Sequence, residues 1–117
     1  MKLETKFWQE VKKNISEISF TRLESWASAG VPDLLCYNKK GTFFTIELKV
    51  KRSKKTIFSP HQIAFHIRHP NNTFILQKSL DPLSIKLYAG KDVQVLDACS
   101  PVAEGWTTVQ EHLVNVT

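Results

Sequence analysis

An aspartate at 33, a glutamate at 47 and a lysine at 49 are the residues in this chain whose types and spacing suit chemistry. Asp33 opens a short apolar run, Glu47 lies near the end of the next, and Asn38-Lys39-Lys40-Gly41 between them has hairpin-turn composition. A hairpin closed there pairs residues whose numbers sum to about 79, which sets Asp33 across from about residue 46. Asp33 and Glu47 then converge at one end of a sheet. Two carboxylates held together repel each other unless a hard cation such as Mg²⁺ sits between them, with Mn²⁺ able to substitute. Lys49, on the same strand face as Glu47, would stand beside that ion and orient or deprotonate a water. The alternative for the same residues is an exposed sheet face laced with ion pairs.

The elements that must position these side chains are legible in the apolar pattern. Leu3, Phe7, Trp8, Val11, Ile15 and Ile18 recur at steps of three and four, predicting a helix over 3–18. Strands follow at 19–24 and 33–37. Residues 42–51 alternate most cleanly, with Phe44, Ile46, Leu48 and Val50 on one face and Phe43, Thr45, Glu47 and Lys49 on the other. Ser59-Pro60-His61-Gln62 has the form of a capping box with proline at the first helical position, which predicts a helix from Pro60 to about Arg68. Strands at 73–78 and 84–89 and two short helices near 92–98 and 107–114 complete the chain. Short turns make the first three strands an antiparallel meander, and the strand after the middle helix adds in parallel. The expected fold class is mixed α/β, one domain over 1–117.

Gly30-Val31-Pro32-Asp33, then Glu47-Leu48-Lys49, then Ser59-Pro60-His61-Gln62 resembles the pattern of the PD-(D/E)XK nuclease superfamily, above all its small VRR-NUC and Holliday-junction-resolvase-like branches, many of them from phages. The resemblance covers residues 1 to about 89 and leaves 90–117 as a C-terminal extension. It implies a restriction-endonuclease-like αβββαβ core with a mixed central sheet flanked by helices. It implies a Mg²⁺-dependent endonuclease that hydrolyses DNA phosphodiester bonds, structure-specific or site-specific. Asp33, Glu47 and the backbone carbonyl of Leu48 would bind the metal, and Lys49 would position the attacking water. Members carry a further acid on the first helix. Glu4, in line with Trp8, Val11 and Ile15, is favoured over Glu10, which falls between the apolar positions and is expected to be solvated. Gln62 would turn its amide toward the site in support of catalysis. Its role in the capping box is expected to compete with that contact.

Charge points the same way. Sixteen Lys and Arg against eleven acids give a formal charge of +5, which suits an anionic partner, most often nucleic acid. Five of the seven residues from 49 to 55 are Lys or Arg. Lys51, Arg52, Lys54 and Lys55, with Arg22 as a weaker addition, are the expected phosphate contacts. His61, His66 and His69 have no nearby cysteine and are expected to be solvated or to touch phosphate rather than to bind zinc. Trp8 belongs to the helix core; Trp26 and Trp106 are open between core and base stacking. Cys36 and Cys99 match no metal spacing, and the Asn-x-Ser/Thr triplets at Asn14, Asn71 and Asn115 are expected to occur by chance. No apolar run approaches the roughly 20 residues of a membrane span, and the charged first residues lack a signal-like apolar segment. The expected setting is therefore intracellular, and the resemblance implies the cytoplasm of a bacterial or phage-infected cell. Residues 90–117 hold enough apolar side chains to require burial on their own domain or on another copy, and a homodimer or higher homo-oligomer is expected. The competing functions are a catalytically inactive nucleic-acid-binding module of the same fold, or a basic RNA-binding domain for which the Asp-Glu-Lys spacing is coincidence.

Overall fold

In the computed structural model, residues 2–23 and 29–117 are described. Helix α1 (Leu3–Asn14) buries Phe7 and Val11, with Glu4 in its first turn and Lys12 and Lys13 in its last, as the helix dipole favours. It ends four residues short of the expected boundary. Ile15 and Ile18 still reach the core, but from the extended link to the first strand.

Strands β1 (Ser19–Arg22), β2 (Leu34–Tyr37) and β3 (Phe43–Lys51) form the expected antiparallel meander. Helix α2 (Pro60–Arg68) then crosses over to β4 (Thr73–Leu80), which pairs parallel to β3. Strand β5 (Leu83–Ala89) returns antiparallel. A 3-10 segment, Gly90–Ala98, is broken by the non-helical Val95 and leads to the two-residue β6 (Ala103–Glu104) and helix α3 (Trp106–Val114). The result is one mixed six-stranded sheet in the order β1-β2-β3-β4-β5-β6. Strand β6 has no sequence signature. It exists because Ala103 falls opposite Leu87 and continues that sheet edge.

The sheet separates two layers of packing. Phe44, Ile46 and Leu48 of β3, with Phe74, Leu76, Ile85 and Leu87, face α1 and α3 in one apolar core that also holds Phe7, Val11, Val109 and Leu113. Trp106 joins it with its ring 6.1 Å from that of Phe7. On the other face, Ile75, Tyr88, Val93 and Leu96 form a smaller cluster beside α2 and the 3-10 segment. Of the apolar residues of 90–117, Val93, Leu96, Val109 and Leu113 are thus buried on the two faces of the chain's own sheet, whereas Val95 and Val102 remain exposed.

Asn38 fixes the β2–β3 hairpin. Its Oδ1 accepts from the N–H of Lys40 and of Thr42, and its Nδ2 donates to the carbonyls of Leu113 and Val116 in and beyond α3. The observed register pairs Leu34 with Ile46 and Cys36 with Phe44. Those pairs sum to 80, one more than expected, so the residue carried opposite Asp33 is Glu47 itself.

Candidate active site

Three local features deliver Asp33 to this position. Gly30 adopts φ +82, a region costly for any other residue, and a Cβ there would lie 2.3 Å from the His61 carbonyl oxygen. The loop before β2 can therefore lie directly on the first turn of α2. Asp33 stays bound to the sheet through its carbonyl, which accepts from Leu23 N–H at 2.8 Å. Its carboxylate Oδ2 accepts from the N–H of Leu48 at 2.7 Å.

A residue's N–H and C=O leave a strand on the same edge, so the Leu48 carbonyl faces the same side as the N–H that Asp33 takes. The β2–β3 pairing itself ends at Leu34–Ile46, two residues short of Leu48.

Glu47 is 2% exposed. Its pKa is raised well above the carboxylate range, first by burial, then by the charge of Asp33 and a hydrogen bond shared with its side chain. Oε2 accepts from Gln62 Nε2 at 3.2 Å, while Oε1 is buried with no partner. Buried polar atoms are nearly always satisfied, so a buried carboxylate oxygen with no donor, on a side chain set beside a second carboxylate, suits a shared proton or a cation. The donors there are all oxygen, which suits a hard ion such as Mg²⁺ or Mn²⁺.

Lys49 occupies the same face, its Nζ donating to Gln62 Oε1 at 2.9 Å and lying 4.9 Å from the centre of the Phe58 ring. Gln62 corrects one expectation. Capping and site contacts do not compete, because a primary amide has two lone pairs and two N–H groups. Gln62 Oε1 accepts from both Ser59 N–H (2.9 Å) and Lys49, and Nε2 is left for Glu47. Ser59 Oγ completes the box by accepting from Gln62 N–H at 3.2 Å. The cap holds the side chain in the orientation that joins Glu47 to Lys49.

Glu4 is exposed as a residue, but its carboxyl loses enough water to raise its pKa, helped by the charge of Asp33 and opposed by Lys49, Arg22 and Lys2. It is an electrostatic neighbour of the pair. Among the described residues no three His, Cys, Asp or Glu side chains form a cluster fit to hold a metal. Glu10, expected to be solvated, instead pairs with Lys78 at 2.5 Å across the α1 face.

The basic residues of 51–55 line two grooves. Lys51, Arg52 and Lys54 line a groove at the end of the sheet, whereas Lys55 lines a different one between α2 and the 3-10 segment. Arg22 is exposed on β1. Lys51 also pairs with Asp97 at 3.1 Å. Asp97 accepts from Thr56 N–H (2.8 Å) and Thr56 Oγ1 (2.7 Å) as well. Burial alone would push its carboxyl up, but these Thr56 bonds and Lys51 bring its pKa below the usual range.

Of the histidines, His61 and His69 are exposed but His66 is fully buried, against expectation. Helix α2 turns it onto the sheet, where Nδ1 lies 3.2 Å from Thr73 Oγ1, which in turn accepts from Thr45 Oγ1 at 2.7 Å. His66 Nε2 has no partner. Burial, then Lys49 and His69, lower its pKa to about 4. Trp8 packs edge-on against Phe20, as its place in the helix pattern implies, and Trp26 lies outside the described residues. Thr56, Thr73, Gln77 and Asp97 were not singled out by sequence reasoning. A polar residue inside the apolar run of β4 is the one local signal, and Gln77 is 2% exposed with its amide 2.5 Å from Thr56 Oγ1.

No family model matches the chain, and neither the curated proteins nor the solved structures yield a match. Among the described residues no helix is long and apolar enough to cross a membrane.

Proposed function

We propose that this chain is a divalent-metal-dependent endonuclease acting on DNA, with a restriction-endonuclease-like architecture. The observation that carries the reading is the pairing of half-buried Asp33 with buried Glu47, whose Oε1 has no partner and which is joined through Gln62 to Lys49. The order α1-β1-β2-β3-α2-β4, with β4 parallel to β3, supports it, because this topology brings the three side chains and the helix cap to one sheet face.

Asp33, Glu47 and the Leu48 carbonyl would hold Mg²⁺ or Mn²⁺, with Glu4 adding negative charge nearby. When bound, such an ion polarises a phosphoryl oxygen and lowers the pKa of water. The protein's own part is positional. Glu47 must give up its proton before it can bind a cation, so affinity rises with pH. Gln62 holds the Lys49 ammonium beside the carboxylates, where it can orient a water or neutralise charge on the phosphate. The Phe58 ring over Lys49 restricts its motion. Cutting both strands of a duplex is simplest with two copies, so a homo-oligomer acting in the cytoplasm accompanies this reading.

The test is incubation of purified protein with labelled linear, nicked, flapped and four-way-junction DNA in Mg²⁺, Mn²⁺ or EDTA. Cleavage should need the metal and disappear in Lys49→Ala while DNA affinity changes little. Calorimetric titration with Mn²⁺ should show binding that Asp33→Ala and Glu47→Ala each reduce strongly. DNA binding without cleavage in any metal would favour the inactive binding module.

A further inference from the structure

The groove at the far end of the sheet has a composition that the catalytic reading does not use. It encloses about 510 Å³, and its lining includes Lys51, Arg52, Lys54 and Lys86 with only one carboxylate, that of Asp81. Ser79 and Ser84 add two hydroxyls. Lys86 comes from β5, remote in sequence from the basic stretch 49–55, and makes no ion pair among the described residues.

Strand register ties this groove to the carboxylate pair. Lys51 pairs with Ser79 and Ser79 with Ser84, forming one row across three strands. Lys49, Gln77 and Lys86 form the next row, and Glu47, Ile75 and Tyr88 the one after. All of these residues belong to one face of the sheet, since side chains alternate along each strand. Each residue advances about 3.3 Å, so Lys51 stands about 13 Å from Glu47 along β3. One strand of duplex DNA presents a phosphate every 3.4 Å or so of helix axis. Cations with hydroxyls between them match phosphate oxygens, which take charge from lysine and arginine and hydrogen bonds from serine.

We infer that this groove is a backbone-binding seat that holds phosphates about four nucleotides from the scissile bond, with Lys86 as a phosphate ligand. The distance from the cut rests on the nuclease reading, whereas the binding itself does not. The seat fixes where a strand lies relative to the carboxylates and carries no base sequence information.

Fluorescence anisotropy with a labelled 20-base-pair duplex, in EDTA and over a range of salt, separates the two claims. Lys86→Glu should lower affinity about fivefold at 0.15 M salt and reduce the salt-dependence slope by about 0.9, the value of one lost phosphate contact. Lys40→Glu, the same charge change in the hairpin at the opposite end of β3, should leave the slope unaltered. Lys86→Gln guards against damage from the introduced acid and should shift the slope in the same direction. Circular dichroism confirms that each variant is folded. Equal effects of Lys86→Glu and Lys40→Glu would overturn the seat even if the wild type cleaves DNA, and so would a wild type that does not bind DNA. Binding that depends on Lys86, in a protein that never cuts, would sustain the seat and overturn the nuclease reading.

Discussion

The two faces of the central sheet are made by the same strands and do opposite things. Toward α1 and α3, β3 presents Phe44, Ile46 and Leu48 to a continuous apolar core. Toward α2, the alternate residues Thr45, Glu47 and Lys49 meet Thr73, His66, Gln62 and, further along, Gln77 and Thr56. The first face gains stability from buried area. The second gives some of it up by holding a carboxyl and an imidazole out of water, each with one unpartnered atom. The apolar core and the candidate site are thus separated by a single step of strand periodicity.

The largest effect that would sharpen this contrast is on activity. Glu47→Gln keeps the shape of the side chain and can still accept from Gln62, but it removes the charge a cation needs. Cleavage should fall by about a hundredfold or more. Stability at pH 8 should stay level or rise by about 1 kcal/mol, because the variant no longer carries the cost of a buried ionisable carboxyl. Gel-based cleavage and urea unfolding on the same preparation check both, and a large loss of stability would break the contrast.

Leu76→Ala probes the other face. Leu76 is fully buried in the larger core, and its truncation should cost about 2–5 kcal/mol in urea unfolding. Cleavage per folded molecule should persist at low temperature.

The pH dependence follows from two groups with opposite signs. The His66 pKa is lowered from 6.5 to about 4, so its contribution is present above about 6.5 and is lost as pH falls through about 4. Full loss amounts to roughly 3 kcal/mol. Glu47 is raised, so its contribution is present below its ordinary value and is lost as pH climbs toward the folded pKa. Urea unfolding between pH 4 and 7 should therefore show a steeper loss on acidification in Glu47→Gln than in wild type. An NMR titration should find the His66 imidazole neutral down to about pH 4, and a midpoint near 6.5 would contradict its burial.

The smallest effect concerns the segment that joins the two grooves. Asp97→Ala removes the acceptor for Thr56 N–H, Thr56 Oγ1 and Lys51 Nζ and should cost about 1–2 kcal/mol. Amide hydrogen exchange should rise over residues 52–58 and stay unaltered in β2. A uniform rise across the sheet would show that Asp97 supports the whole fold rather than this segment.

Most of the architecture was legible because its causes are local. Alternation over 43–50 told the apolar face from the polar one, Ser59 and Gln62 declared the start of α2, and the Asn38–Gly41 turn implied that Asp33 and Glu47 converge. The boundary errors were small where a neighbour took over, as when Ile15 and Ile18 reached the core without helix. By itself, then, the sequence determined the α/β class, the strand faces and the meeting of the two carboxylates, since periodicity and turn chemistry act within a few residues. Only the tertiary structure decided that Gln62 serves cap and site together, that His66 is buried, that Asp97 holds Thr56 from 41 residues away, and that Lys51, Arg52 and Lys54 share a groove with Lys86 while Lys55 lines another. Those outcomes depend on how helices and strands distant in sequence dock, and on which polar atoms that docking strips of water, and no local pattern encodes either.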